Sequence, residues 1–181
     1  QHLACFVSGL AAARVCADLS TLVPGRQVVD HVSALIEFTG GARGTFTAMQ
    51  AAAGGENDIR LRVYGEKGGL EWHQRYPNTM YVKWLDQPTQ IYRTGLGYLG
   101  ANAKSATRTP PAHPEGYLEA FANIYKNFAN HIRARVEGRK VTKNDPALDY
   151  PKIEDGVRGM AFIEAVVKSS KKNAAWTKLD V

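Results

Sequence analysis

The chain has 181 residues, which is about the length of one domain and too short for a complete two-domain enzyme. Hydrophobic residues make up 44% and charged residues 22%, so the chain can bury a core and is not a disordered tail. The net charge of +6 is scattered, and basic and aromatic residues do not interleave on one platform, which argues against nucleic-acid binding.

The cysteines and the apolar runs indicate the compartment in which the protein is found. Cys5 and Cys16 have no metal-ligand spacing and no disulfide framework, which is typical of a reducing compartment. No apolar run approaches the ~20 residues that span a bilayer, and no signal-peptide pattern is present. We therefore expect a cytoplasmic protein with no membrane partner and no metal site.

The first residues predict that the chain begins inside a helix. Leu3, Phe6, Val7 and Leu10 recur at helical spacing, and no initiator Met precedes Gln1. This pattern favours a fragment of a longer polypeptide, although a cleaved tag or truncated numbering would look the same.

A series of short strands follows the initial helix. Alternating apolar and polar residues, separated by Gly, Pro and Asp turns, predict about seven strands joined by short connections. They fall at 15–20, 32–38, 45–51, 59–64, 70–73, 80–85 and 90–93. Because no helical segment lies between them, we expect antiparallel pairing.

The last part of the chain is helical. Residues 94–112 form a Gly-, Thr- and Pro-rich loop, whose length is typical of functional loops. Apolar residues at helical spacing predict helices over 115–137 and 151–171, and Trp176 with Leu179 predicts a closing strand. Strands followed by helices predict an α+β fold, with one large, predominantly antiparallel sheet, helices on one face and the other face bare.

The segment Gly95-Leu96-Gly97-Tyr98-Leu99-Gly100 matches the dinucleotide-binding pattern G-x-G-x-x-G. A true site needs a βαβ unit and an acidic residue about 20 positions later, whereas here Pro110-Pro111 and a loop intervene. We interpret the match as accidental and the segment as a flexible loop.

Residues 108–117 are the segment whose side chains are best suited to form a binding site. Prolines on both sides of His113 stiffen the backbone, so that its imidazole and the Arg108 guanidinium could be held at the mouth of a cleft. The alternative is a rigid helix entry in which Pro114 begins the helix and His113 is an indifferent cap. The residues alone leave both interpretations open.

Several ordered motifs together resemble the Gfo/Idh/MocA group of oxidoreductases (glucose-fructose oxidoreductase, inositol dehydrogenase and rhizopine catabolism proteins). The resemblance covers nearly the whole chain, in the order 30–31, 40–46, 63–72, 108–117, 119–125 and 155–165. It implies a C-terminal domain of the dihydrodipicolinate reductase-like kind, spanning 1–181 as a single domain, without the Rossmann domain that holds NAD(P) in the family.

The resemblance also implies a role and a site. Family members transfer hydride at a carbinol carbon of a sugar or cyclitol. Their catalytic Glu-Lys-Pro lysine and Asp-x-x-x-His pair are not in this chain, and His2 occupies a position that is often Asp or Asn. We therefore expect no catalytic and no cofactor-binding residues here. Arg108, His113 and, more weakly, Tyr98 are expected near the substrate, with Ala112 in place of the usual glycine.

We accordingly predict the substrate-binding and oligomerisation domain of an oxidoreductase that uses NAD or NADP. The chain alone should bind no cofactor and be inactive. The bare sheet face, expected to be apolar, implies a homo-oligomer through that face. The alternative is a stand-alone, non-catalytic binding or scaffold module with the same fold.

Overall fold

A computed structural model describes every residue from Gln1 to Val181. The helices are α1 (His2–Ser8), α2 (Ala101–Ala106), α3 (Tyr117–Val136) and α4 (Ile153–Ser170), with short 3₁₀ turns at Thr39–Gly41 and Pro146–Leu148. The strands are β1 (Ala12–Ser20), β2 (His31–Phe38), β3 (Arg43–Met49), β4 (Arg60–Tyr64), β5 (Gly68–His73), β6 (Thr79–Trp84), β7 (Gln90–Arg93) and β8 (Thr177–Lys178). The chain divides into two compact units, residues 1–57 with 152–181, and residues 58–151.

The first unit is a four-stranded sheet covered on one face by α4. Its strand order is β3-β2-β1-β8, and every pair is antiparallel. Alternate residues of the strands point toward α4, as the two-residue period requires. The buried core consists of Ala12, Val15, Ala17, Ala34, Ile36, Phe162, Ala165 and Val166.

The opposite face of this sheet is polar, so the expectation of an apolar open face was wrong. Glu37 accepts hydrogen bonds from Arg14 and is paired with Arg43. The hydrogen bond from Arg14 is the main reason that the pKa of Glu37 lies below its ordinary value. Both guanidinium groups also lie over the Trp176 ring, at 5.1 and 5.5 Å from its centroid. Charged residues lie on this face because the apolar residues, at every second position of the strands, point toward α4.

The edge of β1 beyond β8 is completed by side chains. β8 pairs only with Arg14 and Val15, so the amides further along β1 have no strand partner on that side. Two serines at the end of α4 take their place: Ser169 Oγ accepts from Ala17 N at 2.9 Å, and Ser170 Oγ accepts from Leu19 N at 3.1 Å. The helix therefore supplies the hydrogen bonds that a longer strand would have made.

A buried carboxylate shapes the connection between β1 and β2. Asp30 is 4% exposed and accepts hydrogen bonds from Leu22 N at 2.7 Å and Val23 N at 3.0 Å. The hydrogen bond from Leu22 is the largest cause of a pKa below the ordinary aspartate value. Asp30 thus stays ionised and fixes the turn that returns the chain to β2.

The second unit is a four-stranded antiparallel sheet followed by helices. The strand order is β4-β5-β6-β7, with each strand paired to its neighbour in sequence. The loop predicted over 94–112 contains α2, a helix that sequence reasoning missed. On α3 the predicted apolar stripe is largely exposed, with Leu118 at 74% and Tyr125 at 70%.

The α+β class and the predominantly antiparallel pairing are confirmed. The strands form two four-stranded sheets, whereas the sequence predicted one large sheet. None of the helices combines the length and the apolar character that crossing a bilayer requires.

The serine at the edge of β1 gives a test of this packing. Ser169 is fully buried, and its hydroxyl also donates to Ala175 O at 2.7 Å. Ser169→Ala would leave the buried Ala17 amide without a hydrogen-bond partner, whereas Ala175 O would keep the hydroxyl of Thr177. We therefore expect a loss of about 1–3 kcal/mol in the free energy of unfolding, measured with urea. Ser170→Ala, at a less buried position, should cost less. Equal losses for the two variants would contradict this role.

Candidate functional site

The loop between α2 and α3, residues 107–116, is organised around one carboxylate. Glu115 is 9% exposed, and its Oε1 accepts from Arg108 N at 2.5 Å and also from Thr109 N. The Thr109 hydroxyl lies 2.9 Å from this oxygen and 2.9 Å from the His113 carbonyl oxygen, so its proton is shared between two acceptors. The backbone N–H of Glu115 donates to Asn78 Oδ1 at 3.0 Å, which ties the loop to the turn before β6.

The charge of Glu115 is stabilised by these neighbours. Burial is the largest single influence and favours the neutral acid. The hydrogen bonds from Thr109 and Arg108, together with the Arg108 charge, outweigh it and lower the pKa of Glu115 below its ordinary value. Glu115 is therefore ionised at neutral pH.

Arg108 is attached to α3. One guanidinium nitrogen donates to Asn123 Oδ1 at 2.7 Å, and another lies 3.9 Å from Glu115 Oε2. Asn123 in turn donates to Ala106 O at 2.9 Å. A guanidinium has five N–H donors, so donors remain for a ligand on this half-exposed side chain.

His113 presents one ring nitrogen to solvent. Its Nδ1 lies 3.1 Å from Pro111 O, and because a carbonyl oxygen only accepts, Nδ1 carries the proton in this contact. In the neutral imidazole the lone pair is then on Nε2, which has no partner within the chain. The exposed Nε2 is suited to accept a hydrogen bond from a hydroxyl group.

The backbone of the loop is held in an unusual conformation. Ala112 has a φ of 67°, in the left-handed region that glycine adopts more readily than alanine. Gly95, with φ of 80°, packs so closely that a Cβ there would lie 2.8 Å from Pro111 N. Gly95 therefore packs directly against the Pro110–Pro111 backbone, and only glycine permits this contact.

Tyr98 is placed less favourably for a ligand than the other two residues predicted for the site. Its hydroxyl accepts from Arg93 N at 2.7 Å and lies 3.2 Å from Arg93 O, and its ring packs edge-on against Tyr92. No hydrogen bond joins it to Arg108 or His113. Arg108 and His113 thus belong to one hydrogen-bonded loop, whereas the Tyr98 hydroxyl is engaged by the backbone of Arg93 at the end of β7.

Sequence reasoning missed Glu115, Asn78 and Asn123, which hold this loop together. A glutamate between a proline and a helix looks like a helix-entry residue, and nothing in the sequence signals that its partners lie six and seven residues earlier. His2, the other residue considered, lies on α1 and is 3.8 Å from Asp155.

Residues 1–181 lack the elements of a Rossmann-type dinucleotide site. All strand pairs are antiparallel, so the parallel βαβ unit that such a site requires is missing from residues 1–181. Gly95–Gly100 follows an edge strand and leads into α2, a helix of only six residues. No group of three or more His, Cys, Asp or Glu side chains is arranged to hold a metal.

The fold is an antiparallel α+β domain, and the loop over 107–116 places the polar side chains of Arg108 and His113 at its surface. Residues 2–71 match the GFO/IDH/MocA C-terminal domain family. The sequence is 32% identical over 150 residues to the uncharacterized oxidoreductase YfiI of Bacillus subtilis (strain 168), covering 82% of this chain and 37% of that protein.

Solved structures show the same relationship. An oxidoreductase from Sinorhizobium meliloti is 41% identical with a TM-score of 0.90, over 98% of this chain and 49% of that one. An inositol dehydrogenase homolog from Azotobacter vinelandii, solved with NADH and myo-inositol, is 29% identical with a TM-score of 0.84, over 95% of this chain and 45% of that one. The chain belongs to the Gfo/Idh/MocA family of oxidoreductases, as a C-terminal domain, and spans less than half the length of each of these relatives.

The close approach at Gly95 gives a test of how the loop is supported. In Gly95→Ala the new Cβ would meet the Pro110–Pro111 backbone at a positive φ, so we expect the free energy of unfolding to fall by about 2 kcal/mol or more. Gly97→Ala is the matched control, because nothing lies within 4 Å of a Cβ there. Denaturant unfolding of the two variants measures the difference, and equal effects would contradict the contact.

Proposed function

We propose that this chain is the C-terminal substrate-binding and oligomerisation domain, residues 1–181, of an NAD(P)-dependent oxidoreductase that transfers hydride at a carbinol carbon of a sugar or inositol. The observation that carries the proposal is that one stiff loop contributes both an acceptor, the Nε2 of the exposed His113, and unused N–H donors of Arg108. A polyol needs both kinds of partner, because each hydroxyl donates one hydrogen bond and accepts others.

The relatives support the substrate class and the cofactor. The Azotobacter vinelandii homolog was solved with myo-inositol and NADH, and the present chain is similar to less than half of it. We propose that the cofactor, NAD or NADP, and the proton-transfer group lie on a nucleotide-binding domain of the same protein. Residues 1–181 taken alone would then be inactive, since they can neither orient a nicotinamide nor supply that group.

Two surface features fit a domain that works within a larger protein. The exposed apolar side chains of α3, among them Leu118 and Tyr125, form the kind of patch that usually packs on another domain or chain. Cys5 and Cys16 are both unpaired, which supports a reducing, cytoplasmic location.

His113→Ala in the full-length protein is the direct test of the substrate role. With NAD⁺ or NADP⁺ and a panel that includes myo-inositol and D-glucose, we expect kcat/KM for the preferred polyol to fall about 10- to 100-fold, because one hydrogen bond to a hydroxyl is lost. The affinity for NADH, measured by fluorescence, should not change. Unchanged turnover, or an equal loss of cofactor affinity, would contradict the substrate role and support the alternative, in which His113 is only part of the entry to α3.

The open face of the first sheet is our proposed self-association surface. In a two-fold dimer the same patch meets its own copy, and the Arg14, Glu37 and Arg43 group carries both signs of charge, so it can be self-complementary. Leu35 lies on this face and is 50% exposed.

We expect light scattering of this chain to report a dimer or larger species. Leu35→Arg should convert it to monomer by placing an extra cation on the proposed interface. Ile163→Arg is the matched control, since Ile163 is 53% exposed and lies on α4. A monomeric wild type, or dissociation by Ile163→Arg alone, would refute this surface.

A further inference from the structure

We infer that Glu115 is a positioning residue of the site: its buried carboxylate holds the loop so that Arg108 and His113 face a ligand. This inference rests on the proposed function of the loop. Glu115 does not itself touch the ligand in this account, because its carboxylate is turned into the loop and away from solvent.

The contacts of Glu115 close the loop at both ends. Its side chain receives the consecutive backbone amides of Arg108 and Thr109, at the point where the chain enters the proline segment. Its own amide donates to Asn78 Oδ1, at the point where the chain leaves that segment. One residue therefore joins the entrance and the exit of the turn that carries His113.

Capping of α3 is not the reason for this carboxylate. The residue that precedes that helix, the N-cap Gly116, donates its backbone N–H to Glu119 Oε2 at 2.8 Å, so Glu119 already forms the capping box. The Glu115 carboxylate makes its hydrogen bonds to residues 108 and 109 only. The two glutamates, four residues apart, thus have separable roles.

The negative charge has a specific partner. Glu115 Oε2 lies 3.9 Å from an Arg108 guanidinium nitrogen, while a second nitrogen of the same group bonds Asn123. A glutamine at 115 would keep an oxygen for the two amides but turn an NH₂ group, also a donor, toward the guanidinium. Glu115→Gln therefore preserves the shape of the side chain and removes its attraction for Arg108.

Amide NMR of the 181-residue chain tests the positioning without any substrate. Hydrogen bonds to a carboxylate should place the Arg108 and Thr109 amide protons downfield. In Glu115→Gln both should move upfield and the His113 signals should shift, while the Gly116 amide stays in place. In Glu119→Gln, the matched control, only the Gly116 amide should move.

A pH titration of the wild type covers the case in which Glu115→Gln does not fold. The charged groups near Glu115 are Arg108 and Glu119. The Arg108 and Thr109 amides should shift together in one transition below the ordinary pH range of glutamate. Amide signals that neither move in Glu115→Gln nor titrate together would overturn the inference, whatever the substrate.

Kinetics of the full-length protein link the positioning to the ligand. With myo-inositol, or the best polyol of the panel, we expect Glu115→Gln to raise KM about tenfold or more with little loss of NADH affinity, and Glu119→Gln to leave KM unchanged. An unchanged KM in Glu115→Gln would overturn the link between Glu115 and the ligand. If His113→Ala is without effect while the amides respond as described, the proposed function fails and the structural role of Glu115 stands.

Discussion

The arrangement of the candidate site depends on one buried negative charge, the carboxylate of Glu115. A carboxylate is removed from water only when hydrogen bonds and an opposite charge replace its hydration. Here two backbone amides, a shared hydroxyl and the Arg108 guanidinium do so, and each of these partners belongs to the loop that carries His113. Asp30 shapes the turn before β2 in the same way, so both units use a buried acid to fix an irregular segment.

This constraint also accounts for the single conformation of the loop. The proline segment has few backbone donors of its own, and Ala112 is held at positive φ, so the loop needs outside support to keep one conformation. Glu115, Asn78 and the close approach of Gly95 provide it. In this loop the His113 Nδ1 lies 3.1 Å from Pro111 O, and our proposal assigns the other ring nitrogen, Nε2, to a substrate hydroxyl group.

Local patterns predicted most of the elements, because strand alternation and helical spacing are encoded within a few residues. The strands predicted over 32–38, 59–64 and 90–93, and the two long helices, lie within a few residues of the observed bounds. Long-range features could not be predicted. Nothing near Ser169 in sequence indicates that it completes the edge of β1, about 150 residues earlier, and α2 lacks an apolar stripe. For the site, sequence reasoning chose Arg108 and His113, but the role of Glu115 depends on hydrogen bonds that exist only once the loop is folded.

The imidazole of His113 offers the most direct test of the whole account. In the NAD⁺-saturated full-length protein, ¹⁵N NMR should show Nδ1 protonated and Nε2 bare, and saturation with the turned-over polyol should shift Nε2 as it accepts a hydroxyl hydrogen bond. An Nε2 signal that does not respond to the substrate, or a protonated Nε2 with a bare Nδ1, would contradict the claim that this loop is built to bind a hydroxyl.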